Sequence, residues 1–233
     1  MAERGSLETM CNLYSSTTTQ QAMRSLFKVD AKNDQLGNFE PLSAIWPKYD
    51  APVVRLTDSG EREIVLMSWG FLTAKVSKKT GKPIAPAAWN NARADKVATN
   101  GLWKDSFQNR RCLVPASSFR EAKGRNPATD YWFALKGDVE RPPFAFAGLW
   151  RGQQPGLPPD KLNQLTHTIV TTTANELVKP IHPDRMPVII HPADYGTWLS
   201  GSDDDALSLL RPFPSDQMQI VLQGVGQLRD GSS

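Results

Sequence analysis

The chain has 233 residues, a formal net charge of +3 and 39% hydrophobic residues, enough to bury a substantial core in one large domain or two small ones. With 16 Gly and 18 Pro it stays well below the roughly 25–30% that marks low complexity, which excludes wholesale disorder. No apolar run approaches the ~18 residues of a membrane helix, so no membrane contact is expected, and the mild positive charge permits a polyanionic partner without demanding one.

In chain order, residues 1–9 read as a polar extension that is either disordered or removed. They carry Glu3 and Arg4 and no apolar h-region, so a cytoplasmic location is expected. Thr17 to Thr19 offer a cap to a helix whose Ala22, Met23, Leu26 and Phe27 fall at helical spacing. Strand-like runs follow at 63–67, 112–114, 131–135, 144–150, 167–173, 187–190 and 219–222. A second helix is predicted over 94–107, and a third begins at Pro192, a good first helical residue, and ends at Leu199. Asp203 to Asp205 read as a helix N-cap rather than a metal ligand set. Strands outnumber helices and do not alternate with them, which argues for an α+β fold around a curved, mostly antiparallel, barrel-like sheet with a few flanking helices. No repeat or linker divides the chain, so residues 10–226 form a single domain and 227–233 a polar tail.

Lys75, Lys78, Lys79 and Lys82 surround Gly81 in a predicted hairpin tip, with Trp69 and Phe71 before it and Trp89 after it. Cations beside aromatic faces suit single-stranded nucleic acid, whose phosphates need charge and whose unstacked bases need a π-surface. A solvated tip next to core tryptophans explains the same residues.

Chemistry-bearing residues are sparse. Asn91 and Arg93 lie two apart before Asp95: Asn91 either caps a helix or orients a reacting group, and Arg93 either pairs with Asp95 or grips a phosphate. Glu121 ends a run that starts in the basic turn Arg110-Arg111, and His182 sits in a proline-fenced loop. His167 lies in a strand and His191 at a helix start. Cys11 and Cys112 have no C-x-x-C spacing and read as free thiols, with Cys112 in the core. Nothing has the spacing of a metal site, and no metal or cofactor is expected.

Taken together, Cys11-Asn12-Leu13-Tyr14-Ser15, Trp69-Gly70, Asn91-Ala92-Arg93, Arg111-Cys112-Leu113-Val114-Pro115-Ala116 with Phe119 and Glu121, Ala174-Asn175-Glu176, Ile181-His182 and Arg185-Met186-Pro187 resemble the SOS response-associated peptidase (SRAP) family over about residues 10–223. The resemblance implies a DNA-damage protein that binds single-stranded DNA and crosslinks to abasic sites through a cysteine at the mature N-terminus. It assigns Cys11 as nucleophile, Asn91, Glu121 and His182 as the rest of the active site, and Arg93 as a DNA contact. Trp69, Lys75, Lys78, Lys79 and Lys82 are further expected DNA contacts, and a monomer, nucleoid-associated when bound to DNA, is expected. The chain departs from the family pattern in three places. Ten residues precede Cys11, so either translation starts at Met10, or residues 1–10 are removed, including by autoproteolysis, or the chain as written is inactive. Ser117-Ser118-Phe119-Arg120-Glu121-Ala122 stands where the family commonly has Gly before Phe, an aromatic before Glu and Trp after it. Asn12-Leu13 replaces a common Gly-Arg. Two other readings compete: a cysteine peptidase using Cys11 and His182, and a non-enzymatic single-stranded nucleic acid binder.

Overall fold

The computed structural model describes residues 11–230, so the expected extension at 1–9 lies outside the described residues. The chain forms β1 (Tyr14–Ser16), α1 (Gln20–Phe27), β2 (Leu42–Ile45), β3 (Asp50–Leu56), β4 (Arg62–Trp69), β5 (Phe71–Val76), β6 (Pro83–Trp89) and β7 (Asn91–Arg93). There follow α2 (Lys104–Asn109), β8 (Arg111–Ala116), β9 (Ser118–Lys123), β10 (Thr129–Leu135) and β11 (Phe144–Arg151). The last stretch holds α3 (Pro159–Leu162), β12 (Thr166–Thr172), β13 (Met186–Pro187), β14 (Ile189–Ile190), α4 (Tyr195–Ser200), α5 (Asp203–Ser208) and β15 (Met218–Val225).

The larger sheet closes on itself through β12, β4, β3, β8 and β11, because β11 pairs back with β12. That ring is the barrel-like core. Its pairings are antiparallel except where β12 runs parallel to β4 and to β7. The mode of burial explains the sequence pattern: on β8, Cys112, Val114 and Ala116 face one apolar cluster while Leu113 faces the other. A strand buried on both faces shows a continuous apolar run instead of alternation. The second sheet, in the order β15-β10-β9-β1-β2, packs Tyr14, Phe119 and Phe133 onto the same side as Cys112.

Helix α1 forms as its sequence implies. The Thr19 hydroxyl accepts from the Ala22 N–H, Met23 and Phe27 are buried, and Lys28 ends the helix in the left-handed region. The helix expected over 94–107 is replaced by consecutive turns, and only α2 is helical. Val97, Trp103 and Phe107 do point into the core, which gave the segment its helical spacing. Asn100, whose side chain accepts the Leu102 N–H at 2.8 Å, favours a turn at that point. The third helix starts as a 3₁₀ turn at Pro192–Asp194 and continues as α4. The cap before Asp203–Asp205 is Ser202, which forms a capping box with Asp205. The expected strand at 187–190 is two short bridges, β13 to β12 and β14 to β11. Residues 227–230 do not trail away: the Gln227 carbonyl accepts the Trp132 indole N–H at 2.8 Å, and Asp230 is buried. Among the described residues no helix is long and apolar enough to cross a membrane.

Candidate active site

Cys11 is 2% exposed and lies in the apolar cluster with Tyr14, Trp69 and Cys112. Its backbone is gripped from both sides. The N–H faces the Glu121 carboxyl group, and the carbonyl oxygen accepts from Asn91 Nδ2 at 2.8 Å and from Asn90 Nδ2 at 3.3 Å. Asn91 reaches it because β7 is held parallel to β12, with Asn91 opposite Ile169. Asn91 is therefore a strand residue rather than a helix cap.

Glu121 sits on β9 opposite Tyr131 and is 3% exposed, so it is not the solvated carboxylate that an isolated Glu usually is. Burial pushes its pKa up to about 8, against the pull of the Arg120 guanidinium and of the Cys11 N–H. Arg120 is committed to the buried Asp130, to which its Nε donates at 2.8 Å. The Cys11 thiol is pushed well above its ordinary value, first by burial and then by the facing Glu121. Its Sγ donates weakly to the Leu13 carbonyl at 3.9 Å. Cys112, fully buried, is also pushed up by desolvation, which suits its place in the core.

His182 is held by a turn that the sequence organises through Asn175. The Asn175 side chain accepts from the Leu177 and Val178 N–H groups at 3.1 and 3.0 Å and donates to the Phe213 carbonyl at 2.7 Å. His182 Nδ1 accepts the Arg185 N–H at 3.3 Å, which leaves the proton of the neutral ring on Nε2. Three of the four expected catalytic residues present a buried polar atom with no protein partner: Asn91 Oδ1, Glu121 Oε1 and His182 Nε2. Each can form a hydrogen bond with a bound group, as can Tyr14 and Thr168, whose hydroxyls are likewise buried without a protein partner. His167, the other deeply buried histidine, is kept neutral by desolvation with a pKa of about 3.

Arg93 lies on the surface, with Nε and Nη2 donating to Asp95 at 3.0 and 2.8 Å. Arg185 donates to the same carboxylate at 3.2 Å and to Thr171 Oγ1 at 3.2 Å. These groups border a cavity of about 480 Å³ that Thr171, Thr172 and Thr173 also line. The expected hairpin is present: β5 pairs antiparallel with β6, Gly81 turns at φ +68°, and Lys75, Lys78, Lys79 and Lys82 are exposed. Trp69 needs correction. It is fully buried, edge-on to Tyr14 at 5.0 Å, with its indole N–H donating to the Asn90 carbonyl at 2.8 Å. It offers no face to a base. The exposed ring is Trp89, 48% accessible at the end of the hairpin.

The Ser117-Ser118 departure has a local explanation. Ser118 Oγ lies 2.7 Å from Ser15 Oγ, and Ser117 Oγ accepts the Thr17 N–H at 2.8 Å. The hydroxyls tie β1, and with it the segment carrying Cys11, to the turn between β8 and β9. Sequence reading missed Asn90 and Arg185. An Asn-Asn doublet after a strand and an Arg inside a quoted motif were the available signals.

A family model described as SOS response associated peptidase (SRAP) matches residues 10–226. A relative named abasic site processing protein YoqW, from Bacillus subtilis (strain 168), is 32% identical over 188 residues, covering 78% of this chain and 79% of the relative. Abasic site processing protein YobE from the same organism is 31% identical over 194 residues, covering 78% and 80%. A solved structure from Bordetella bronchiseptica shares the fold with a TM-score of 0.68 at 22% identity, covering 92% of this chain and 99% of that one.

Proposed function

The chain belongs to the SOS response associated peptidase (SRAP) family, and from that premise we propose that it processes abasic sites in DNA by binding the single strand and joining covalently to the opened sugar through Cys11. The observation that carries this reading is the placement of Cys11, whose nitrogen faces the buried Glu121 carboxyl group while its carbonyl is held by Asn91 Nδ2 at 2.8 Å.

The chemistry requires both substituents of one residue. An abasic deoxyribose opens to an aldehyde, and a free α-amine adds to it and loses water to give an imine. The thiol then adds its sulfur to the imine carbon and its proton ends on the nitrogen, which closes a five-membered thiazolidine. An amide nitrogen cannot do this, so the reactive form begins at Cys11. The Glu121 carboxyl group gives a proton to the departing hydroxyl and as carboxylate takes the thiol proton. His182 Nε2 and Asn91 Oδ1, buried without protein partners, orient the sugar oxygens, and His182 assists the proton transfers to and from them. In autoproteolytic release of residues 1–10, water adds to the Met10 carbonyl carbon, the C–N bond to Cys11 breaks, and Glu121 supplies the proton that the departing Cys11 nitrogen takes up. Arg93, Arg185 and the hairpin lysines hold phosphates, and Trp89 stacks on a base.

A general cysteine peptidase fits less well. Such a nucleophile needs a depressed thiol pKa beside an imidazole, whereas burial and Glu121 push Cys11 up. The deciding experiment is intact mass before and after incubation with abasic single-stranded DNA. A shift by the oligonucleotide mass less water, in protein starting at Cys11, supports the reading. No shift in such protein overturns it.

A further inference from the structure

We infer that Asn90 is a positioning residue for the reaction of Cys11, acting as the second donor of a two-amide clamp that aims the Cys11 nitrogen at Glu121. The inference rests on the proposed crosslinking function and adds a residue to it.

Neighbouring residues in an extended strand point to opposite faces, yet the side-chain amides of Asn90 and Asn91 both reach the Cys11 carbonyl oxygen, at 3.3 and 2.8 Å. The backbone permits this because β6 ends at Trp89, β7 begins at Asn91, and residue 90 lies in the break between them. That break is pinned. The Asn90 carbonyl accepts the Trp69 indole N–H at 2.8 Å and the Ile169 N–H at 3.1 Å. Trp69 is fully buried and cannot shift.

The two amides take both lone pairs of one carbonyl. Cleavage before Cys11 would attack the Met10 carbonyl, so the clamp is no oxyanion hole for that step. What it fixes is the rotation of the Cys11 peptide plane. A terminal residue ordinarily frays. With its carbonyl held by two donors, Cys11 keeps its nitrogen toward Glu121, and the gain is one of orientation in the bond-forming step. Asn90 acts through Cys11 and Trp69 acts through Asn90.

The test uses protein whose mass places Cys11 at the N-terminus. Borohydride-trapped imine is followed in a single turnover on abasic single-stranded DNA, and affinity is read separately on an oligonucleotide carrying a tetrahydrofuran analogue that cannot react. Asn90→Ala is expected to slow trapping about tenfold, the scale of one hydrogen bond, with affinity unchanged. Asn90→Asp, which puts an acceptor against the carbonyl, is expected to be slower still. Trp69→Phe keeps the ring and removes the N–H, so it is expected to be slowed less, and Trp69→Phe with Asn90→Ala no more than Asn90→Ala alone. Wild-type trapping rates in Asn90→Ala, or a loss confined to affinity, would overturn the inference. Reaction with glycolaldehyde separates the two readings. If wild-type protein traps no imine on DNA, the proposed function fails, while slower glycolaldehyde capture by Asn90→Ala still supports the clamp and an unchanged rate rejects it.

Discussion

The Cys11 N–H faces the Glu121 carboxyl group, whose Oε1 is buried with no protein partner. One contact therefore joins the group that titrates to the nitrogen that reacts. The ionisation of Glu121 depends on whether that nitrogen is a neutral amide or the ammonium of a chain that starts at Cys11, since a cation there draws the carboxyl pKa down.

This coupling sets a pH dependence of stability. While the nitrogen is an amide, the folded pKa of about 8 lies above the ordinary 4.5, so between those values the folded state holds a proton that the unfolded state has released. The contribution is fully present below about pH 4.5 and is lost as pH rises through about 8. Glu121→Gln removes it. Urea midpoints of variant and wild type are expected to converge near pH 4 and to separate by pH 9, with the variant higher. In protein starting at Cys11 the separation shrinks, and an equal gap at every pH would show that Glu121 does not titrate in this way.

The same carboxyl group is expected to govern rate. Glu121→Gln and His182→Ala should slow adduct formation by roughly 10²–10⁴, the scale of general acid–base groups, with little change in DNA affinity. Stopped-time gel analysis of the crosslink at saturating protein measures this. Wild-type rates in both variants would reduce the two residues to packing.

The two tryptophans part company. Trp89→Ala is expected to weaken single-stranded DNA binding by about 1–3 kcal/mol, the worth of one stacked base, without altering the unfolding midpoint. Trp69→Ala opens a cavity in the core and is expected to cost about 3–5 kcal/mol of folding stability. Titration and denaturant unfolding of both variants distinguish a binding surface from a core residue.

Trp69 also shows where sequence reading stopped. Its neighbours Ser68, Gly70 and Phe71 do not reveal whether the ring faces solvent; that depends on β4 pairing with β12, a strand remote in sequence. Local signals served better where the cause is local: the cap on α1, the hairpin turn at Gly81, the buried run of β8. Strand β3 escaped because Pro52 breaks its pattern, and β9 because it alternates Phe119 with the charged Arg120 and Glu121. Cys11, Glu121 and His182 were legible only as fragments in a family order. Cys11 comes to face Glu121 because the second sheet lays β1 beside β9.

Salt dependence tests the arginine pair. Arg93 and Arg185 share Asp95, so a phosphate must compete with that carboxylate. Arg93→Ala and Arg185→Ala are each expected to lower the slope of log affinity against log salt by about 0.7 for a single strand. Asp95→Asn removes the competitor and is expected to tighten binding at low salt. Weaker binding in Asp95→Asn would mean that the carboxylate chiefly holds the arginines in place.

Cys11 separates the competing functions, because each makes a different demand on its two reactive groups. Cys11→Ala is expected to abolish the stable adduct. The residue is packed in the core cluster, so the variant's unfolding midpoint must be measured beside its activity. Cys11→Ser at a processed N-terminus keeps the amine and loses the thiol. It is expected to give an imine that borohydride traps but no adduct that survives without reduction. Acetylating the α-amine while sparing the thiol is expected to eliminate imine and thiazolidine together. A thiol peptidase would keep cleaving peptides after that block, and a plain binder would keep its affinity in all three proteins and form no adduct in any. A stable adduct in the acetylated protein rejects the thiazolidine mechanism, since sulfur alone cannot close the ring.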